Sequence, residues 1–106
     1  MFDFFGRGGK SMMDAVQEAQ SGKGARMVDV RSPEEFRGGH VPGAINLPLD
    51  NLQAAGRLLN DKSAKLYLYC ASGARSSMAA GMLKRMGYVN CENVGGIGAY
   101  KGKLEF

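Results

Sequence analysis

The run Leu66-Tyr67-Leu68-Tyr69 constrains this chain more than any other segment. It is apolar to aromatic throughout, as expected of a strand covered on both faces by helices in a parallel sheet. The residues after it are equally restrictive. Cys70 leads into the small residues Ala71-Ser72-Gly73-Ala74 and then Arg75, after which Met78, Ala79, Met82, Leu83 and Met86 recur at helical spacing from Ser76 to a stop at Gly87. A cysteine therefore sits at the carboxyl end of a buried strand, where α/β sheets hold their ligands.

The rest of the chain repeats the alternation. Ser11 stands three residues before Asp14, and Met12, Met13, Val16 and Ala19 share a face, which predicts a capped helix ending near Ser21-Gly22 and packed on one side of a sheet. Met27-Val28-Asp29-Val30 reads as a short strand, and Pro33 opens a brief helix carrying Glu34, Glu35 and Phe36. A dense turn, Gly38-Gly39-His40-Val41-Pro42-Gly43, precedes a short strand over residues 44–48 that Pro48 closes. Asp50 or Asn51 is placed to cap a helix through Leu58 and Leu59. A last strand is expected near Asn90 to Val94, before the turn Gly95-Gly96. Strands alternating with helices of about ten residues imply a mostly parallel sheet between helical layers.

At 106 residues and 44% apolar, the chain is of a size for one domain with one ordinary core. Its two cysteines form no CxxC pair and no Cys/His cluster, so neither zinc nor a disulfide framework is implied, and thiol chemistry in a reducing compartment fits better. The N-terminus lacks the order of a signal peptide and no run has the length of a membrane span, so the expectation is a cytoplasmic protein with no membrane partner. Phe2, Phe4 and Phe5 are read as cover for an edge of the domain's own core. The net charge of +4 favours small anions, but the basic residues are spread along the chain and no nucleic-acid partner is expected. A monomer is the expected state.

At Cys70, small side chains let the backbone curl until several N–H groups point into one cup, and the following helix adds the positive end of its dipole. Such a cup favours thiolate over thiol, lowering the Cys70 pKa below its usual value of roughly 8.5. A persulfide on Cys70 would be held by the same donors, and this supports a ping-pong cycle of loading and discharge. Arg75 is expected both to add positive charge and to tie the loop to a carboxylate such as Asp29 or Glu35. His40 is assigned a structural hydrogen bond, since a thiolate of lowered pKa needs no base. Asp29 and Arg31 are read as a salt bridge anchoring the strand end. Resolution of a persulfide by Cys91 would demand Cα atoms within about 7 Å, and burial as an inert thiol is the reading adopted. Tyr67 and Tyr69 are assigned to the core.

These residues together resemble a known family. Val28-Asp29-Val30-Arg31, Glu34-Glu35-Phe36 and Gly39 through Pro48 are similar to the first half of a rhodanese homology domain. Tyr69-Cys70 through Arg75-Ser76, with Ala79-Ala80, Leu83, Gly87-Tyr88 and Gly95-Gly96-Ile97, are similar to its second half. The likeness covers about residues 11–102, leaving an extension of residues 1–10 within a single domain of residues 1–106. It implies a five-stranded, mainly parallel sheet flanked by helices on both faces. It further implies Cys70 as the persulfide carrier, the loop residues Ala71, Ser72, Gly73, Ala74 and Arg75 as the substrate-binding cup, and a thiosulfate or persulfide donor, protein-borne ones included. The acceptor would be cyanide or a thiol, and no metal, nucleotide or flavin is implied. Related phosphatases and arsenate reductases carry a loop one residue longer, whereas Cys70 to Arg75 is the six-residue form, which favours sulfur transfer. The alternative function is a non-enzymatic sulfur carrier or partner-binding module. One departure is Gly98-Ala99-Tyr100, where the family often has a tryptophan; a tyrosine fills much of the same packing role.

Overall fold

A computed structural model describes residues 10–106, so the expectation placed on Phe2, Phe4 and Phe5 lies outside the described residues. The chain opens with helix α1 (Met12–Gln20), whose first turn is capped as Ser11 Oγ accepts from the Asp14 N–H at 3.2 Å. Strand β1 (Arg26–Asp29) follows, then helix α2 (Pro33–Arg37), which starts in a full capping box. There Ser32 Oγ accepts from the Glu35 N–H, the Glu35 carboxylate accepts from the Ser32 N–H, and Pro33 fills the first position. After the two-residue strand β2 (Ile45–Asn46) comes a 3-10 segment, Leu49–Ala54, running into the single turn of α3 (Ala55–Leu58). Strand β3 (Leu66–Cys70), helix α4 (Ala74–Arg85) and strand β4 (Cys91–Gly96) complete the order, with a last 3-10 turn at Ile97–Ala99.

The four strands run parallel in the order β2-β1-β3-β4. Alternation along β3 divides its side chains between two cores. Leu66, Leu68 and Cys70 join Leu52, Ala55, Ala79 and Leu83 on the face covered by α3 and α4. Tyr67 and Tyr69 join Met12, Val16 and Met27 on the face covered by α1. All five residues of β3 are buried, which explains why its sequence shows no polar alternation.

Two expectations are corrected. The sheet has four strands among the described residues, not five. His40 and Glu105 exchange both backbone hydrogen bonds as an isolated antiparallel bridge, and this pairing goes no further. The turn at Gly38-Gly39 precedes His40, and Pro42, with no N–H to donate, follows one residue after Val41. The helix expected from Asp50 or Asn51 through Leu58 and Leu59 is replaced by the 3-10 segment and the single α turn after it. Asn51 lies at φ −138°, ψ 41°, outside the helical region, and no side chain caps the segment. Burial of Leu52, Ala54, Ala55 and Leu59 against the sheet decides this stretch in place of helical regularity. A smaller shift occurs at α4, which starts at Ala74, two residues before the expected Ser76.

Candidate functional site

β3 ends at Cys70, whose side chain is fully covered at 0% exposure, while Ala71, Ser72 and Ala74 around it are exposed. The backbone turns out of the strand through Gly73, which sits at φ +98° in the left-handed region that an L side chain enters only with strain. That turn brings N–H groups back toward the strand end. Cys70 Sγ accepts from the Gly73 N–H at 3.0 Å and the Ser76 N–H at 3.4 Å, and the Ser76 hydroxyl stands 3.4 Å away. The cup is thus the first turn of α4 together with the loop before it, at the positive end of a twelve-residue helix.

Burial works against ionising Cys70, but the hydrogen bonds of the cup, those of the Ser76, Ser72 and Gly73 N–H groups among them, outweigh it, so the thiol ionises below its ordinary range. The other cysteine behaves oppositely. Cys91 is buried in the α3/α4 core, and burial pushes its thiol up. Its place in the core is the burial the sequence suggested.

β4 closes the cup from the other side. Its pairing with β3 slips by one residue between Leu68↔Asn93 and Cys70↔Gly96, a bulge beside the loop. Gly96 there lies so close to the loop that a Cβ on it would fall 2.4 Å from the Ala71 carbonyl oxygen. Asn93 reaches across the bulge, donating from Nδ2 to the Gly73 carbonyl at 3.2 Å and accepting at Oδ1 from the Gly95 N–H at 3.0 Å.

Arg75 leaves the cup sideways. Its guanidinium donates to both carboxylate oxygens of Glu35, at 2.8 and 3.0 Å, and together with the Ser32 N–H it holds the Glu35 pKa down to about 2. Of the two carboxylates expected for this tie, Asp29 is already taken. It is fully buried and accepts from the Arg31 backbone and guanidinium, the shortest contact being 2.6 Å, and Arg31 also donates to the Gly39 carbonyl. A hollow of about 230 Å³ adjoins Arg75, lined also by Val30, Ser32, Pro48, Leu49 and Asp50.

The structure therefore brings Gly73 onto the Cys70 sulfur, turns Arg75 aside to Glu35, and adds Ser76 and Asn93 around the loop. Ala71 and Ala74 supply no hydrogen bond to the sulfur. Ser76 was missed as a site residue, though a hydroxyl one helical turn past Gly73 was a signal for it; Asn93 carried no signal, because its role depends on a bulge. His40 takes the structural part assigned to it, with Nδ1 2.8 Å from the Phe36 carbonyl and the ring stacked on Phe36. Tyr67 and Tyr69 are core residues whose hydroxyls are engaged: Tyr67 donates to Glu18 and Tyr69 accepts from the Val41 N–H.

A family model for the rhodanese-like domain matches residues 12–103. Thiosulfate sulfurtransferase PspE of Escherichia coli is 39% identical over 71 residues, covering 66% of this chain and 68% of that one. Two Bacillus subtilis proteins are also similar. The uncharacterized protein YqhL is 41% identical over 83 residues and 76% of this chain, and the putative sulfur carrier protein YrkF is 34% identical over 90 residues and 84% of this chain. The matched stretch spans only 64% of YqhL and 48% of YrkF. Among solved structures, a rhodanese with anions from E. coli superposes with a TM-score of 0.71 at 34% identity, covering 76% of this chain and 96% of that one. No described helix is long and apolar enough to cross a membrane.

Proposed function

The chain belongs to the rhodanese-like domain family, and on that premise we propose that it carries sulfane sulfur as a persulfide on Cys70, between a thiosulfate or persulfide donor and a cyanide or thiol acceptor. Relatives named thiosulfate sulfurtransferase and sulfur carrier support a rhodanese-type role in sulfur transfer. The observation that carries the reading to Cys70 is the set of N–H donors on its sulfur, which favours an anion at that position.

The steps balance without any added redox partner. The Cys70 thiolate attacks the outer sulfur of thiosulfate, a new S–S bond forms, the S–S bond of thiosulfate breaks, and sulfite leaves with the electron pair. The acceptor then attacks the outer sulfur of the persulfide. Cyanide forms a C–S bond and becomes thiocyanate, or a thiolate becomes a persulfide, while Cys70 departs as thiolate into the cup that stabilises it. No separate base is assigned, because the cup favours the ionised form of the nucleophile and the leaving groups are anions.

The loop from Cys70 to Arg75 has the six-residue length of the sulfur-transferring relatives and not the longer one of the phosphatases and arsenate reductases it resembles, so oxyanion chemistry is disfavoured. A pure carrier, loaded by another protein and not by thiosulfate, is the second reading, and the similarity to YrkF favours it. Intact-protein mass spectrometry distinguishes the two. Gain of one sulfur on treatment with thiosulfate, absent in Cys70→Ser and reversed by cyanide, is the expected result. Loading only from a persulfide donor would move the assignment to the carrier, and loading from neither would overturn sulfur transfer through Cys70.

A further inference from the structure

The Ser76 hydroxyl has one proton and three acceptors around it. Asn93 Oδ1 is 2.7 Å away, the Gly73 carbonyl 3.2 Å and Cys70 Sγ 3.4 Å. The first has the ordinary length of an O–H···O bond, the second is long for one, and the third is an ordinary O–H···S length, so the proton is placed by the partners and not by distance alone. The Gly73 carbonyl is already served by the Ser77 N–H and by Asn93 Nδ2.

The orientation of the Asn93 amide follows from its neighbours. Oδ1 meets the Gly95 N–H and Nδ2 meets a carbonyl; the flipped amide would set donor against donor and acceptor against acceptor. Oδ1 has no proton to give, so the 2.7 Å contact exists only if Ser76 donates across it. The hydroxyl then turns a lone pair, and not its proton, toward Cys70.

We propose that Asn93 is a positioning residue for Cys70: by taking the Ser76 proton it withholds the hydroxyl from the sulfur, leaving backbone N–H groups to hold the thiolate. In the neutral state the chain of donors runs from the Cys70 S–H to Ser76 Oγ, and from the Ser76 O–H to Asn93 Oδ1. A hydrogen bond that serves the neutral form opposes ionisation. The purpose is reactivity, since a less stabilised thiolate is the stronger nucleophile. Charged groups about the loop are Arg75 on α4, Glu35 on α2, and Asp29 with Arg31 at the end of β1. On β4, Glu92 is engaged by Lys65 beside β3 and Cys91 faces the Tyr88 carbonyl. None of these is altered by removing the Asn93 amide.

The inference rests on Cys70 as the working sulfur, but its readout is ionisation and needs neither donor nor turnover. The experiment is a pH titration of thiolate ultraviolet absorbance in a Cys91→Ala background, with the Cys70→Ser protein subtracted. Asn93→Ala should move the Cys70 midpoint to lower pH, because the freed hydroxyl turns to the sulfur. Ser76→Ala should not raise the midpoint, and Asn93→Ala should bring no downward shift once Ser76 is gone. Loosening of the loop is common to both backgrounds and cancels in this cycle. A raised midpoint in Ser76→Ala, or a cycle with no coupling or coupling of opposite sign, overturns the proposal. Asn93 is exposed, so its truncation opens no cavity. Should that variant nevertheless fail to fold by circular dichroism, Ser76→Ala alone decides.

Discussion

Glu35 and Arg75 are forty positions apart in the chain and form one bidentate pair across the mouth of the site. The sequence made a carboxylate partner for Arg75 expected but left Asp29 and Glu35 open, because the choice turns on which guanidinium the fold brings to each carboxylate. Arg31, two residues from Asp29, wins that carboxylate by proximity, and Glu35 is left for Arg75. Both members of the Arg75 pair are more than one-third exposed, so solvent screens the attraction and its contribution to stability is about 0.5–1 kcal/mol. The sign with pH is fixed. Glu35 binds its proton less readily in the folded chain, so the stabilisation is present above the ordinary carboxylate value of 4.5 and is lost as pH falls toward about 2. Urea unfolding of the wild type and Arg75→Ala should therefore show a gap at neutral pH that narrows through this window. A gap that stays constant down to pH 2 would mean that Arg75 stabilises by packing and not through Glu35.

Elements set by a continuous pattern were legible, and those set by one neighbour's shape were not. β3 was readable because burial on both faces leaves a uniformly apolar strand, and α4 because its methionines, alanine and leucine keep helical spacing. The Leu49–Leu58 stretch was misread because capping residues were present while the tertiary fit of Leu52 and Ala55 overrode them. β4 was found, but its bulge was not, since Gly95-Gly96 reads equally as a turn. Yet that bulge brings strand and loop into contact. Gly96→Ala is the direct test: its Cβ would press on the Ala71 carbonyl at 2.4 Å, backbone on backbone, with no flexible atom to yield. The expected cost is about 1–3 kcal/mol in thermal or urea unfolding, with sulfur loading lost at temperatures where the variant is still folded. Gly98→Ala, two residues on and with nothing within 4 Å of its Cβ, should stay within about 0.5 kcal/mol of wild type. Equal loading by both variants would show that the cup tolerates displacement of the Ala71 peptide.

At the scale of the whole molecule, the parallel sheet between helical layers was legible from alternation alone. The fifth strand came only from family likeness, and the four runs read directly from the residues are the four strands of the sheet. Charge was legible too, and it acts at this scale. Near Cys70 the ionic groups are paired, Arg75 with Glu35 and Arg31 with Asp29, so local neutrality leaves selection at the cup to N–H donors. Fourteen Lys and Arg against ten Asp and Glu still give the chain a net +4, reduced by one when Cys70 ionises. An approaching dianion such as thiosulfate feels this excess at distances comparable to the molecular radius, since the Cα radius of gyration is 12.6 Å. The Debye length shrinks from about 30 Å at 0.01 M salt to about 8 Å at 0.15 M, so the attraction operates at the lower ionic strength and is mostly screened at the higher. Loading of Cys70 by thiosulfate should accordingly slow by about twofold or more across that range, whereas discharge of the persulfide to a singly charged thiolate should slow less. Stopped-flow or quenched mass-spectrometric rates at a series of salt concentrations measure both. If loading instead accelerated with salt, repulsion between thiolate and dianion would outweigh the net charge, and encounter would be governed by the cup and not by the molecule's field.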